Sequence, residues 1–99
     1  MVVDFESALW LWEAREESWT FVTVPEDASE EIREVSAEPR RGFGSVRVRV
    51  RVGATAWRTS IFPDKGSGCY VLPVKKAVRV AEELAVGDVV AVSLELVDF

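Results

Sequence analysis

Residues 46–52 read VRVRVRV, and this alternation constrains the chain more than any other stretch. Apolar and charged residues trade places at period two over seven positions, the pattern of a strand with one buried face. Energetics choose the register. Burying a valine contributes roughly 1.5–3 kcal/mol, whereas the inverse register would bury Arg47, Arg49 and Arg51 at several kcal/mol each. Val46, Val48, Val50 and Val52 therefore go in, and the arginines go out. A solvated face is enough to explain three arginines in a row, so they do not by themselves signal nucleic acid.

The flanking segments predict more strands. Residues 3–13 (VDFESALWLWE) set Phe5, Leu9 and Leu11 on one face and Trp10 and Trp12 on the other. Apolar bulk on both faces suits a strand in a closed or folded-over sheet. AREES turns the chain into a second strand at 19–24. RRGFG leads into the arginine strand, read as 43–52, and Gly53-Ala54 turns it into TAWRTSIF at 55–62. PDKGSG is a polar loop, CYVL a short strand, and Val89–Val97 a last strand with Val90, Val92, Leu94 and Leu96 on one face.

Two helices interrupt the strands. Pro25 and the acids behind it mark a start. Asp27 and Glu30 have capping-box spacing, Ile32 and Val35 form a short apolar stripe, and Pro39 lies beyond. Val74, Ala77, Val78, Ala81 and Leu84 repeat at helical spacing, and AVGD ends that second helix. FVTVPEDASEEIREV and CYVLPVKKAVRVAEEL both read strand, proline, short helix, then a glycine-marked approach to a valine-rich strand. This faint internal duplication points to a pseudo-symmetric barrel rather than a repeat array. At 99 residues, with 48% hydrophobic, one domain spanning 1–99 with one core is expected.

Composition removes several function classes. With no histidine, no Ser-His-Asp or Cys-His pair exists, and zinc lacks its usual ligands. The single cysteine, Cys69, cannot form an internal disulfide, and without a histidine to activate it a buried thiol is the plain reading against a nucleophile. The longest purely apolar run, residues 8–12, falls far short of the ~20 residues of a membrane span. MVVDFES carries acids where a secretory signal needs a basic start. A cytoplasmic protein that is not an enzyme and needs no cofactor or metal is expected.

Charge comes in blocks. Residues 1–39 hold eleven acids against two bases, residues 40–79 ten bases against Asp64 alone, and residues 80–99 five acids and no base, within a net −5. Either basic strands lie beside acidic ones in the sheet, or the basic block attracts an anion. The second helix sharpens the question. Lys75 and Lys76 lie in its first turn and Glu82 and Glu83 in its last, each against the helix dipole. Arg79 and Glu83 have i,i+4 spacing that recovers a little.

A cationic first turn suits an anion; the alternative pairs the lysines with carboxylates of the acidic block. WRTS, residues 57–60, adds Arg58 and Ser60. With Trp57 and Thr59 inward, these two face out beside the arginine strand; in the other register they line a crevice near the second helix. Arginine and hydroxyls suit phosphate or carboxylate, and Arg58 is equally compatible with a structural ion pair. Trp10, Trp12, Trp19 and Trp57 either pack in the core or offer a stacking surface.

W-x-F-V-x-V-P at 19–25, W-R-T-S-I-F-P at 57–63, Y-V-L-P-V-K-K-A-V-R at 70–79 and V-G-D-V-V-A-V-S-L at 86–94 resemble the bacterial family called domain of unknown function 1905. The resemblance implies a small folded-over, mainly β barrel of the double-split type with two short helices. Residues 72–94 also resemble half of the swapped-hairpin fold of AbrB-like regulators. Those proteins bind DNA with basic residues from both symmetric halves, whereas here the matching first helix carries Glu26, Asp27, Glu30 and Glu31. DNA binding does not carry over, and no tight duplex binding is expected. The sequence reading is a non-catalytic monomer that recognises an anionic ligand, either a small molecule or nucleic-acid-like, at a basic face near the second helix through Arg58, Ser60, Lys75, Lys76 and Arg79. The alternative is a protein-interaction or scaffold module without ligand.

Overall fold

The computed structural model describes residues 1–14, 17–36 and 44–97. Six strands run β1 (Val2–Ala14), β2 (Glu17–Thr23), β3 (Val46–Val52), β4 (Thr55–Pro63), β5 (Tyr70–Pro73) and β6 (Val89–Leu96). Helix α1 (Glu26–Val35) follows β2, and helix α2 (Lys76–Ala81) follows β5. The strands close into an antiparallel barrel in the order β1-β2-β5-β4-β3-β6. The expected mainly β barrel with two helices is what forms. Pro39 and residues 40–43 of the RRGFG loop lie outside the described residues. No described helix is long and apolar enough to cross a membrane.

β3 takes the register that valine burial dictates. Val46, Val48, Val50 and Val52 are buried and Arg47, Arg49 and Arg51 exposed. Opposite them on β4 stand Ile61, Thr59, Trp57 and Thr55. β6 contributes Val90, Val92, Leu94 and Leu96 to the same interior, joined by Leu9, Val22 and Leu72.

β1 is long because it serves two neighbours. Val2–Ala8 pair with β6, and Leu9–Ala14 pair with β2. β2 in turn pairs with β5 only over Phe21–Thr23, so the far half of the β1–β2 hairpin has no third strand. Leu11, which shares the inward parity of Leu9, is 42% exposed there.

Each helix closes one end of the barrel. α1 leaves the end of β2 and buries Ala28, Ser29 and Ile32; Val35, expected in the same stripe, is exposed. The expected capping box does not form: Pro25 occupies the N-cap position, and Asp27 Oδ1 accepts from the Ala28 N–H instead. Ser29 Oγ donates to the Val24 carbonyl (2.9 Å) and accepts from the Tyr70 N–H (3.0 Å), tying α1 to β5. Arg33 donates to the Gly68 carbonyl and lies over the Tyr70 ring.

α2 sits at the opposite end and is shorter than its apolar periodicity predicts. It spans six residues, because Glu82 forms the C-cap and Glu83 turns into the left-handed region at φ 52. Val78 is its one buried side chain. Thr20 Oγ1 donates to the Val74 carbonyl just before it (2.6 Å), and Thr55 Oγ1 donates to Glu82 Oε2 just after it (2.6 Å). The β3–β4 turn passes under that carboxylate. Gly53 has φ 58 there, and a Cβ would overlap Glu82 Oε1.

Candidate functional site

Pairing registers lay out the barrel's outer surface in rows. Across β3 and β4, Arg47 faces Ser60 and Arg49 faces Arg58. Across β3 and β6, Arg49 faces Glu95 and makes an ion pair of 2.8 Å, both side chains nearly half exposed. An exposed pair of this kind adds little stability, but it does occupy Arg49. Arg58 is different. It stands directly opposite a like charge, an unfavourable cross-strand arrangement. Among the described residues no carboxylate lies within ion-pair distance of it. Trp57 and Thr59 share the inward parity, so Arg58 and Ser60 face out beside the arginine strand.

β4 and β5 pair only at Phe62–Val71 and Pro63–Tyr70. Arg58 and Ser60 are laddered to β3 and not to β5, and Lys75 follows the end of β5. Lys75 is exposed with extended backbone, as N-cap of α2, and Lys76 is the first helical residue, also exposed. Among the described residues neither lysine lies within ion-pair distance of a carboxylate, so the alternative, a pairing with the acidic block, is not seen there. Arg79 sits in the last turn of α2, half-buried, with its Nε buried and without an acceptor among the described residues. The i,i+4 pair with Glu83 does not form on the helix, since α2 ends before Glu83.

The tryptophans divide. Trp57 packs against the core as expected. Trp10, Trp12 and Trp19 do not: they lie on the outer face, where Trp12 is 45% and Trp19 51% exposed. Trp12 stands directly opposite Trp19 across β1 and β2, and Trp10 opposite Phe21. Trp10 is fixed, with its ring 5.1 Å from that of Phe21 and its Nε1 donating to Thr23 Oγ1 (3.0 Å). These rings, with Phe62, Val71 and Pro73, line a groove of about 510 Å³ that reaches Thr59 and Asp64. The volume lies in the range of small-molecule sites.

Core packing was the plain expectation for aromatic residues, and one available signal opposed it. Asp4 and Glu6 share the parity of Trp10 and Trp12 along β1, marking that face as the wet one. Cys69 is buried, as the plain reading of it requires.

Geometry defines a class first: a small closed antiparallel barrel, plugged by a short helix at each end, with its polar and aromatic chemistry on the outer wall. The chain belongs to the family described as domain of unknown function (DUF1905), whose model matches residues 5–94. No curated protein matches the chain.

Proposed function

We propose that the domain is a non-catalytic binding module that holds an anionic ligand on its outer wall, at Arg58, Ser60, Lys75, Lys76 and Arg79. One observation carries this reading: Arg58 faces Arg49 across the ladder while Glu95 neutralises only Arg49. An anion at Arg58 relieves that repulsion and receives a bidentate guanidinium, with the Ser60 hydroxyl beside it. Lys75, just past the neighbouring strand β5, adds a second cation, and Lys76 and Arg79 follow on α2. With net charge −5, the domain repels extended polyanions at long range, which favours a small ligand over duplex DNA. The same reading takes it as a cytoplasmic monomer.

Melting temperature tests it. Phosphate should raise the value more than chloride at matched ionic strength, and the excess should vanish in an Arg58→Ala, Lys75→Ala variant. A ligand at a hundred times its Kd stabilises by ~2.7 kcal/mol, which is several degrees for a domain of this size. Phosphate also stabilises proteins generally by exclusion from their surface. An equal increment in both proteins would leave a scaffold module without ligand as the better reading.

We also read the barrel as two related halves, β1-β2-α1-β3 and β4-β5-α2-β6, of the double-split type. Exchanging β1 with β4, β2 with β5 and β3 with β6 maps the cyclic strand order onto itself, which supports this reading. An AbrB-like swapped-hairpin barrel, built there from two chains, would then be formed here by the halves of one.

A further inference from the structure

The aromatic groove and the basic residues lie on neighbouring strands of the barrel. Val74 N–H donates to the Thr20 carbonyl (2.8 Å), so the β2–β5 register continues one residue past its last ladder pair. The next step sets Trp19 level with Lys75. Trp12 already faces Trp19 across the β1–β2 ladder. Trp12, Trp19 and Lys75 therefore stand in one row, and Arg58 lies on β4, the strand next to β5. Thr59, the residue between Arg58 and Ser60 in the chain, lines the groove.

From this juxtaposition we infer that the ligand is an aromatic anion: a planar ring stacked on the Trp12–Trp19 surface, carrying a phosphate or carboxylate that reaches Lys75 and Arg58. The inference rests on the anion reading above and names the remainder of the ligand. Two half-exposed tryptophans directly opposite each other are a large apolar surface to leave in water, and a π-face of any heterocycle covers it. Electrostatics orient the ligand. Asp64 lines the groove away from the basic row, and its Oδ2 accepts from the Ser67 N–H and hydroxyl. That carboxylate repels the anionic group and so turns it toward the basic residues. A free nucleoside monophosphate is the simplest molecule with both a planar ring and an anionic group.

Calorimetric titration with adenosine 5′-monophosphate, ribose 5-phosphate and a short single-stranded oligonucleotide tests this. The monophosphate should bind at least tenfold tighter than ribose 5-phosphate. Trp12→Ala with Trp19→Ala should remove that advantage while leaving ribose 5-phosphate binding unchanged, since stacking on an aromatic side chain is worth tenfold or so per base. Phe62→Ala, at an exposed position on the other side of the groove, should weaken the monophosphate without threatening the fold. Equal binding of the two phosphates would overturn the aromatic class and leave the anion reading intact. Binding of neither would overturn both. Tighter binding of the oligonucleotide than of the monophosphate would overturn the assignment to a free small molecule.

Discussion

At the scale of single residues, two buried hydroxyls tie the helices to the barrel. Ser29 bridges α1 to the Val24 carbonyl and the Tyr70 N–H, and Thr20 holds the carbonyl of Val74 where the chain enters α2. Both side chains are almost wholly buried, so their partners have no water to fall back on. Ser29→Ala should therefore destabilise the protein by about 1–3 kcal/mol, the desolvation cost of leaving the Tyr70 N–H and a Val24 lone pair unsatisfied. Urea denaturation measures this directly. A change under ~0.5 kcal/mol would show that the bridge is not what fixes α1. Neither hydroxyl was singled out by the sequence, because a serine three residues into a helix reads the same whether it faces a carbonyl or solvent.

Among the elements, β3 has the most sharply defined register. Val48→Asp should abolish folding, since it sets an unpaired carboxylate among Val50, Leu94 and their neighbours. Arg49→Glu should change stability by less than ~1 kcal/mol, because the ion pair it removes is nearly half exposed and the new carboxylate faces Arg58. A chevron or equilibrium denaturation series on both variants checks the pair; a folded Val48→Asp protein would mean the strand is wrongly registered.

Strands of this kind are legible because alternation carries energy at every second residue. Helix length is less legible. The apolar spacing from Val74 to Leu84 suggested three turns, but α2 breaks at Glu82 and Glu83, where a hydrogen bond to Thr55 from another element takes over. Side-chain direction on β1 was equally hard to read, because the strand changes neighbour at Leu9 and its far half enters a two-stranded hairpin. That change leaves Leu11 and Trp12 exposed although their residue types ask for burial.

For the whole molecule, closure of the barrel matters most to function. Acidic and basic blocks far apart in the chain become neighbours on one curved wall: the arginine strand lies between β4 and β6, and β5 lies between β4 and the tryptophan hairpin. The five basic and hydroxyl residues named from sequence were chosen by type and spacing. The tryptophan pair beside Lys75 comes only from the order in which strands meet, which no local pattern encodes.

The claim that Arg58, Lys75 and Trp19 serve one binding site is tested most directly by nuclear magnetic resonance on the labelled protein during titration with adenosine 5′-monophosphate. The account predicts fast, saturable shifts at the Trp12 and Trp19 indole N–H signals and at the amides of Thr59, Ser60, Lys75 and Lys76, with α1 and β6 still. Shifts centred on α1 or the 64–69 loop with a silent Trp19, or no shifts at millimolar ligand, would contradict it.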